Sequence, residues 1–94
     1  MEVRKSDSTF EEYNPEKVKH GICEAYNSMN ETCPDGLIES LIKNLFIYDK
    51  ISSNEIRRQV EEALMSVNKK VAREYKERRN KLFELDYKKH LLCY

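Results

Sequence analysis

Residues 3–18 read Val-Arg-Lys-Ser-Asp-Ser-Thr-Phe-Glu-Glu-Tyr-Asn-Pro-Glu-Lys-Val, and this stretch decides the fold. It predicts a short strand, a tight turn at Asp7-Ser8, a second short strand and a helix that starts at Asn14-Pro15. Strand alternation sets Val3 and Lys5 on the face opposite Arg4 and Ser6, and sets Glu11 and Tyr13 opposite Phe10 and Glu12. A two-stranded hairpin is not stable alone, so it must pack on whatever follows. Asn14 is a favoured N-cap and Pro15 a favoured first helical residue. Lys5, Lys17 and a helix N-terminus converge on this segment. Free N–H groups and partial positive charge at a helix start attract phosphate, so the three together describe a small polyphosphate cradle.

Beyond the hairpin the periodicity is helical. Val18, Ile22, Ala25, Tyr26 and Met29 form one buried stripe, which ends near Asn30. Residues 30–36 contain Pro34 and Gly36 and read as a loop. A second helix is expected over about 36–48. Leu37, Ile38, Leu41, Ile42, Leu45 and Phe46 cover so wide a face that it reads as the most buried helix. A third helix opens on a capping box of Ser52 and Glu55, stapled by Ile51 and Ile56. Its inward stripe is Ile56, Val60, Ala63, Leu64 and Val67, with Arg57 on the polar face. The period runs on through Val71, Tyr75, Leu82 and Phe83, and the residues alone leave open whether this helix is continuous.

The same residues resemble the opening of the ATP-cone. This regulatory nucleotide-binding domain is found at the N-terminus of ribonucleotide reductase subunits and in the repressor of reductase operons. Val3, Lys5, Asp7, Glu11, Tyr13, Asn14, Lys17 and Val18 fall in step with the family pattern without gaps. Ile51-Ser52-Ser53-Asn54-Glu55-Ile56 resembles its third helix, and Ala72, Tyr75, Arg78 and Arg79 its fourth. The resemblance covers about residues 2–80. It implies an α+β fold in which a small β-hairpin packs on about four helices, with a break near Asn68 and a fourth helix of about 69–80. Residues 1–80 are then the ATP-cone-like domain, and 81–94 a C-terminal helical extension or tail. The apolar Leu82, Phe83, Leu85, Tyr87, Leu91 and Leu92 suggest that the tail contacts something.

For function the resemblance implies ATP or dATP as effector, with Mg²⁺, and a site of Val3, Lys5, Glu11, Asn14, Lys17, Val18, Ser53 and Arg57. Lys5 and Lys17 would hold phosphate, Glu11 a ribose or adenine group, and Val3 and Val18 the purine. The output would be allosteric control of a reductase-type catalytic partner or of the chain's own oligomeric state. Two departures stand out. The family's arginine before the turn is Ser6, which removes a positive charge beside the phosphate site. Its turn glycine is Ser8, and serine does not reach positive φ cheaply. They motivate a second reading, an ATP-cone-like protein-interaction module that has lost the nucleotide.

Composition narrows the alternatives. Ninety-four residues make one domain with a modest core. No apolar run of about 18 residues exists for a membrane span, and no signal-like segment opens the chain, so the cytoplasm is the expected compartment. Lys+Arg and Asp+Glu balance at 17 each, yet residues 1–49 carry 5 basic and 10 acidic groups, leaving 12 and 7 for residues 50–94. Nucleic-acid binding usually wants a stronger positive balance, and the basic run Lys69, Lys70, Arg73, Lys76, Arg78, Arg79 and Lys81 is broken by glutamates in the manner of a solvated helix face. Cys23, Cys33 and Cys93 lack zinc-site spacing, so no metal site is expected and the thiols read as reduced. There is no glycine-rich phosphate loop and no nucleophile–base pair, and catalysis finds no support.

Overall fold

Three of the four helices start where a capping side chain places them. The structure is a computed structural model that describes residues 1–5 and 8–85, with side chains described through residue 77. Ser6 and Asp7 of the expected turn lie outside that description. So do the side chains of Arg78, Arg79, Lys81, Leu82, Phe83 and Leu85, and all of Tyr87, His90, Leu91, Leu92 and Cys93. The chain forms β1 (Glu2–Arg4), β2 (Phe10–Glu12), α1 (Pro15–Ser28), α2 (Asp35–Lys43), β3 (Ile51–Ser52), α3 (Ser53–Val67) and α4 (Lys69–Leu85). This is an α+β fold, a small sheet on a bundle of four helices. Among the described residues no helix is long and apolar enough to cross a membrane.

The sheet has one strand more than the hairpin. Its order is β2-β1-β3. β1 pairs antiparallel with β2, Val3 opposite Glu11, and parallel with β3, Val3 opposite Ile51 and Arg4 opposite Ser52. β3 brings Ile51, which is fully buried, against the equally buried Val3. Two further bonds tie the sheet to the loop before β3: Lys50 N–H donates to the Glu2 carbonyl at 2.7 Å, and Glu2 N–H to Asp49 Oδ1 at 2.9 Å.

α1 begins as expected. Asn14 has extended backbone, and its side chain accepts from Glu16 N–H at 3.0 Å. α3 begins at the Ser52 cap, whose hydroxyl accepts from Glu55 N–H at 3.1 Å. The Glu55 carboxylate engages Arg58 at 2.7 and 2.9 Å. The break at Asn68 is real. Asn68 N–H closes α3 on the Leu64 carbonyl at 2.7 Å, and its side-chain oxygen accepts from Lys70 and Val71 N–H to open α4. α4 then runs unbroken through Leu85, beyond the expected end near residue 80.

The core is a single cluster in which α4 packs on α1 and α3, and α2 on α1 and α3. Ile22, Ile38, Ile56, Val60, Leu64 and Val71 are all fully buried there. Burying a side chain of this kind contributes about 1.5–3 kcal/mol, so this cluster is the main source of stability.

Three expectations are corrected. α2 ends at Lys43, not near residue 48, and it is not the most buried helix, since only Ile38, Leu41 and Ile42 are buried and Leu37 is 47% exposed; Phe46, past its end, is 73% exposed. The side chain of Gln59 on α3 grips the Phe46 backbone, accepting from its N–H at 2.7 Å and donating to its carbonyl at 2.9 Å, which holds the chain out of helix there. Arg57 is not on the polar face of α3 but buried, at 4% exposure. Finally, Cys23 and Cys33 are not separate thiols. They form a disulfide with Cα atoms 5.2 Å apart, inside the usual span, joining α1 to the loop before α2.

Candidate functional site

One face of the hairpin carries the chemistry. Val3 is buried toward the helices, and Glu11 stands opposite it in register, so both project from the same face. Lys5, two residues past Val3, follows that alternation. The other face shows exposed Glu2, Arg4, Phe10 and Glu12 to solvent. The turn that positions Lys5 is closed by Ser8 N–H donating to the Lys5 carbonyl at 3.0 Å and by Lys5 N–H donating to the Thr9 carbonyl at 2.8 Å. Ser8 sits at φ 70°, the left-handed region that glycine would occupy without cost.

Glu11 is the meeting point. Lys17, in the first turn of α1, donates from Nζ to both Glu11 oxygens at 2.7 and 2.8 Å. Lys5 Nζ reaches Glu11 Oε2 at 3.7 Å. The three side chains are each about one-quarter exposed, with 21% for Lys5, 24% for Glu11 and 22% for Lys17. Two ammonium groups from separate elements thus converge on one carboxylate at a wet rim. Beneath them lie Val3 and Val18, both in the core.

The remaining expected residues flank this corner. Asn14 caps α1, and its oxygen already satisfies Glu16 N–H, so part of the helix N-terminus is occupied by the chain itself. Ser53 and Arg57 lie at the start of α3, both buried at 4% exposure. The register of Arg4 with Ser52 brings this helix start to the same end of β1 that Lys5 leaves from. The structure therefore unites Lys5, Glu11 and Lys17 by contact, puts Val3 and Val18 in one apolar floor, and sets Asn14, Ser53 and Arg57 at the two helix starts beside it.

An open hollow lies elsewhere. An open groove of about 680 Å³ runs between α2 and α3, lined among others by Leu37, Leu41, Leu45, Phe46, Arg58 and Gln59, and by none of the expected site residues. Arg58 bridges Glu55 and Glu62 along its rim, which holds the Glu55 carboxyl below its ordinary range and raises the guanidinium.

Cys23, Cys33 and Asp35 also lie together, but the two sulfurs are bonded to each other, so the group holds no thiolate to bind a metal. Sequence reasoning missed this pairing because three cysteines without motif spacing carry no connectivity.

The fold and this corner agree with a comparison of sequences. The family model of the ATP cone domain matches residues 1–82 of the 94. The chain belongs to that family, whose members are regulatory nucleotide-binding domains rather than catalytic ones. No curated protein matches the chain.

Proposed function

We propose that this chain binds ATP or dATP at the Lys5–Glu11–Lys17 corner and passes the binding event to a partner surface. The observation that carries the reading is the convergence of two lysines, one just past β1 and one in α1, on one anionic position. A phosphate chain offers several oxygens at such a position, and charge-assisted N–H···O bonds are the strong kind. Val3 and Val18 would supply the apolar contact for the purine, with Asn14, Ser53 and Arg57 at the flanks. Mg²⁺ would enter with the triphosphate, neutralising part of its charge.

Because the corner joins three elements, ligand there would bias how the hairpin sits on α1 and α3. That is a population shift with a readout at a distance. The readout is another copy of the chain or a reductase-type catalytic subunit, in the cytoplasm. In this role the chain itself catalyses nothing.

A second reading, an interaction module without nucleotide, is favoured by one observation: Phe46 is held outward beside an apolar groove. Calorimetric titration with ATP and dATP, with and without Mg²⁺, separates the two. Wild type is expected to bind. Lys5→Ala/Lys17→Ala is expected to lose at least about 100-fold in affinity while remaining folded, since two charge-assisted bonds are removed. A folded wild type that binds neither nucleotide at millimolar concentration would sink the reading in favour of the interaction module.

A further inference from the structure

We propose that Glu11 is a built-in competitor for phosphate, a carboxylate of the chain's own that a ligand must displace from Lys5 and Lys17. The proposal rests on the nucleotide reading and adds to it the residue that sets the affinity threshold.

Three features carry it. First, Glu11 takes Lys17 with both oxygens and also pairs with Lys5, so one group occupies the position where the two ammonium groups meet. Second, it is held there. Its backbone lies in the sheet opposite Val3, which is fully buried, and Lys17 is fixed by the first turn of α1. The effective concentration of such a tethered anion is high and set by its attachment to the sheet. Third, the cluster is only about three-quarters buried, so exchange of one anion for another needs no opening of the core.

The consequence follows from competition. A tethered anion weakens every incoming phosphate ligand by one common factor. Ratios between ligands are unchanged, but weak binders such as orthophosphate fall out of the working range. Polyphosphates, with more oxygens for the same two lysines, stay within it. Glu11 would thus keep the corner closed to simple anions without a moving lid.

Inorganic tripolyphosphate is the probe, because it has no base or ribose for Glu11 to contact. It is titrated calorimetrically into the full chain at fixed ionic strength. Glu11→Gln is expected to bind it about tenfold more tightly than wild type, the effect of relieving one charge-assisted contact. Orthophosphate should gain by the same factor. Glu12→Gln removes the same net charge from the opposite face, where Glu12 bonds the Met1 amine at 3.0 Å, and should change affinity less than about twofold. Glu11→Asp, shorter by one methylene, should fall between wild type and Glu11→Gln. It also serves if Glu11→Gln shows reduced helicity by circular dichroism.

A wild type that binds ATP, with no gain for tripolyphosphate in folded Glu11→Gln, would overturn the competitor and leave the nucleotide reading intact. Equal gains in Glu11→Gln and Glu12→Gln would reduce the effect to net charge and also overturn it. If folded wild type and Glu11→Gln bind neither tripolyphosphate nor ATP, both readings fall.

Discussion

The hairpin corner and the α2–α3 groove pull in opposite directions as candidate sites. The groove is open and lined by Leu37, Leu41, Leu45 and Phe46, with its charges already spent on one another through Arg58, Glu55 and Glu62. The corner brings together two lysines and a carboxylate from the hairpin and α1. Apolar lining favours the first and convergent charge the second. A charged effector is recognised by convergent groups held on rigid elements, whereas an open apolar trough offers contact area without a fixed partner. On the proposed reading, ligand binding and protein contact would have separate addresses in this fold.

Substitutions on each side sharpen that division. The largest effect on stability is expected at Leu41, which lines the groove yet is 8% exposed and part of the core. Leu41→Ala should cost about 2–3 kcal/mol in chemical denaturation. ATP affinity of the folded variant should stay within about twofold, and a larger loss would mean that the groove belongs to the nucleotide site. Next comes Ser8, whose φ of 70° is strained for serine. Ser8→Gly should stabilise the chain by about 1 kcal/mol, seen as a higher melting temperature. A destabilised variant would show that the serine side chain has a role the turn geometry does not reveal.

The smallest effect lies on the groove rim and depends on pH. Arg58 holds the Glu55 carboxyl below its usual range. A carboxylate whose folded pKa is depressed contributes stability that is present above its unfolded pKa and lost as pH falls through the folded one. Stability should therefore decline slightly on the acid side of the ordinary glutamate range. Arg58→Ala should flatten that decline and return the Glu55 titration, followed by NMR, toward its usual position. The ion pair is exposed, so the change is small.

Much of this was legible in the chain. Asn14-Pro15 and Ser52 state two helix starts in local chemistry, and strand alternation sets Val3 with Lys5 and Glu11 with Tyr13, while the register that puts Glu11 on the Val3 face comes from the sheet. Three features were not legible, for different reasons. β3 is two residues long, too short for any period to register. The end of α2 is imposed from outside, by Gln59 on the Phe46 backbone, while Leu45 and Phe46 continue the apolar pattern past it. The Cys23–Cys33 pairing depends on how the loop before α2 folds back on α1. The buried position of Arg57 is a different case. Ser53, Arg57, Val60 and Leu64 share a helical face by spacing alone, so following the stripe back one turn from Val60 finds it. Charge had suggested solvent, and tertiary packing overrode it.

The most direct test of the central claim is an ATP titration followed by ¹H–¹⁵N correlation spectra of the labelled chain. Amide resonances of Val3, Lys5, Glu11, Lys17 and Val18 are expected to move together with one saturating curve, while those of Leu37, Leu41, Phe46 and Gln59 stay near their starting positions. Movement confined to the groove residues, or no movement at all at millimolar ATP, would contradict the assignment of the hairpin corner as the nucleotide site.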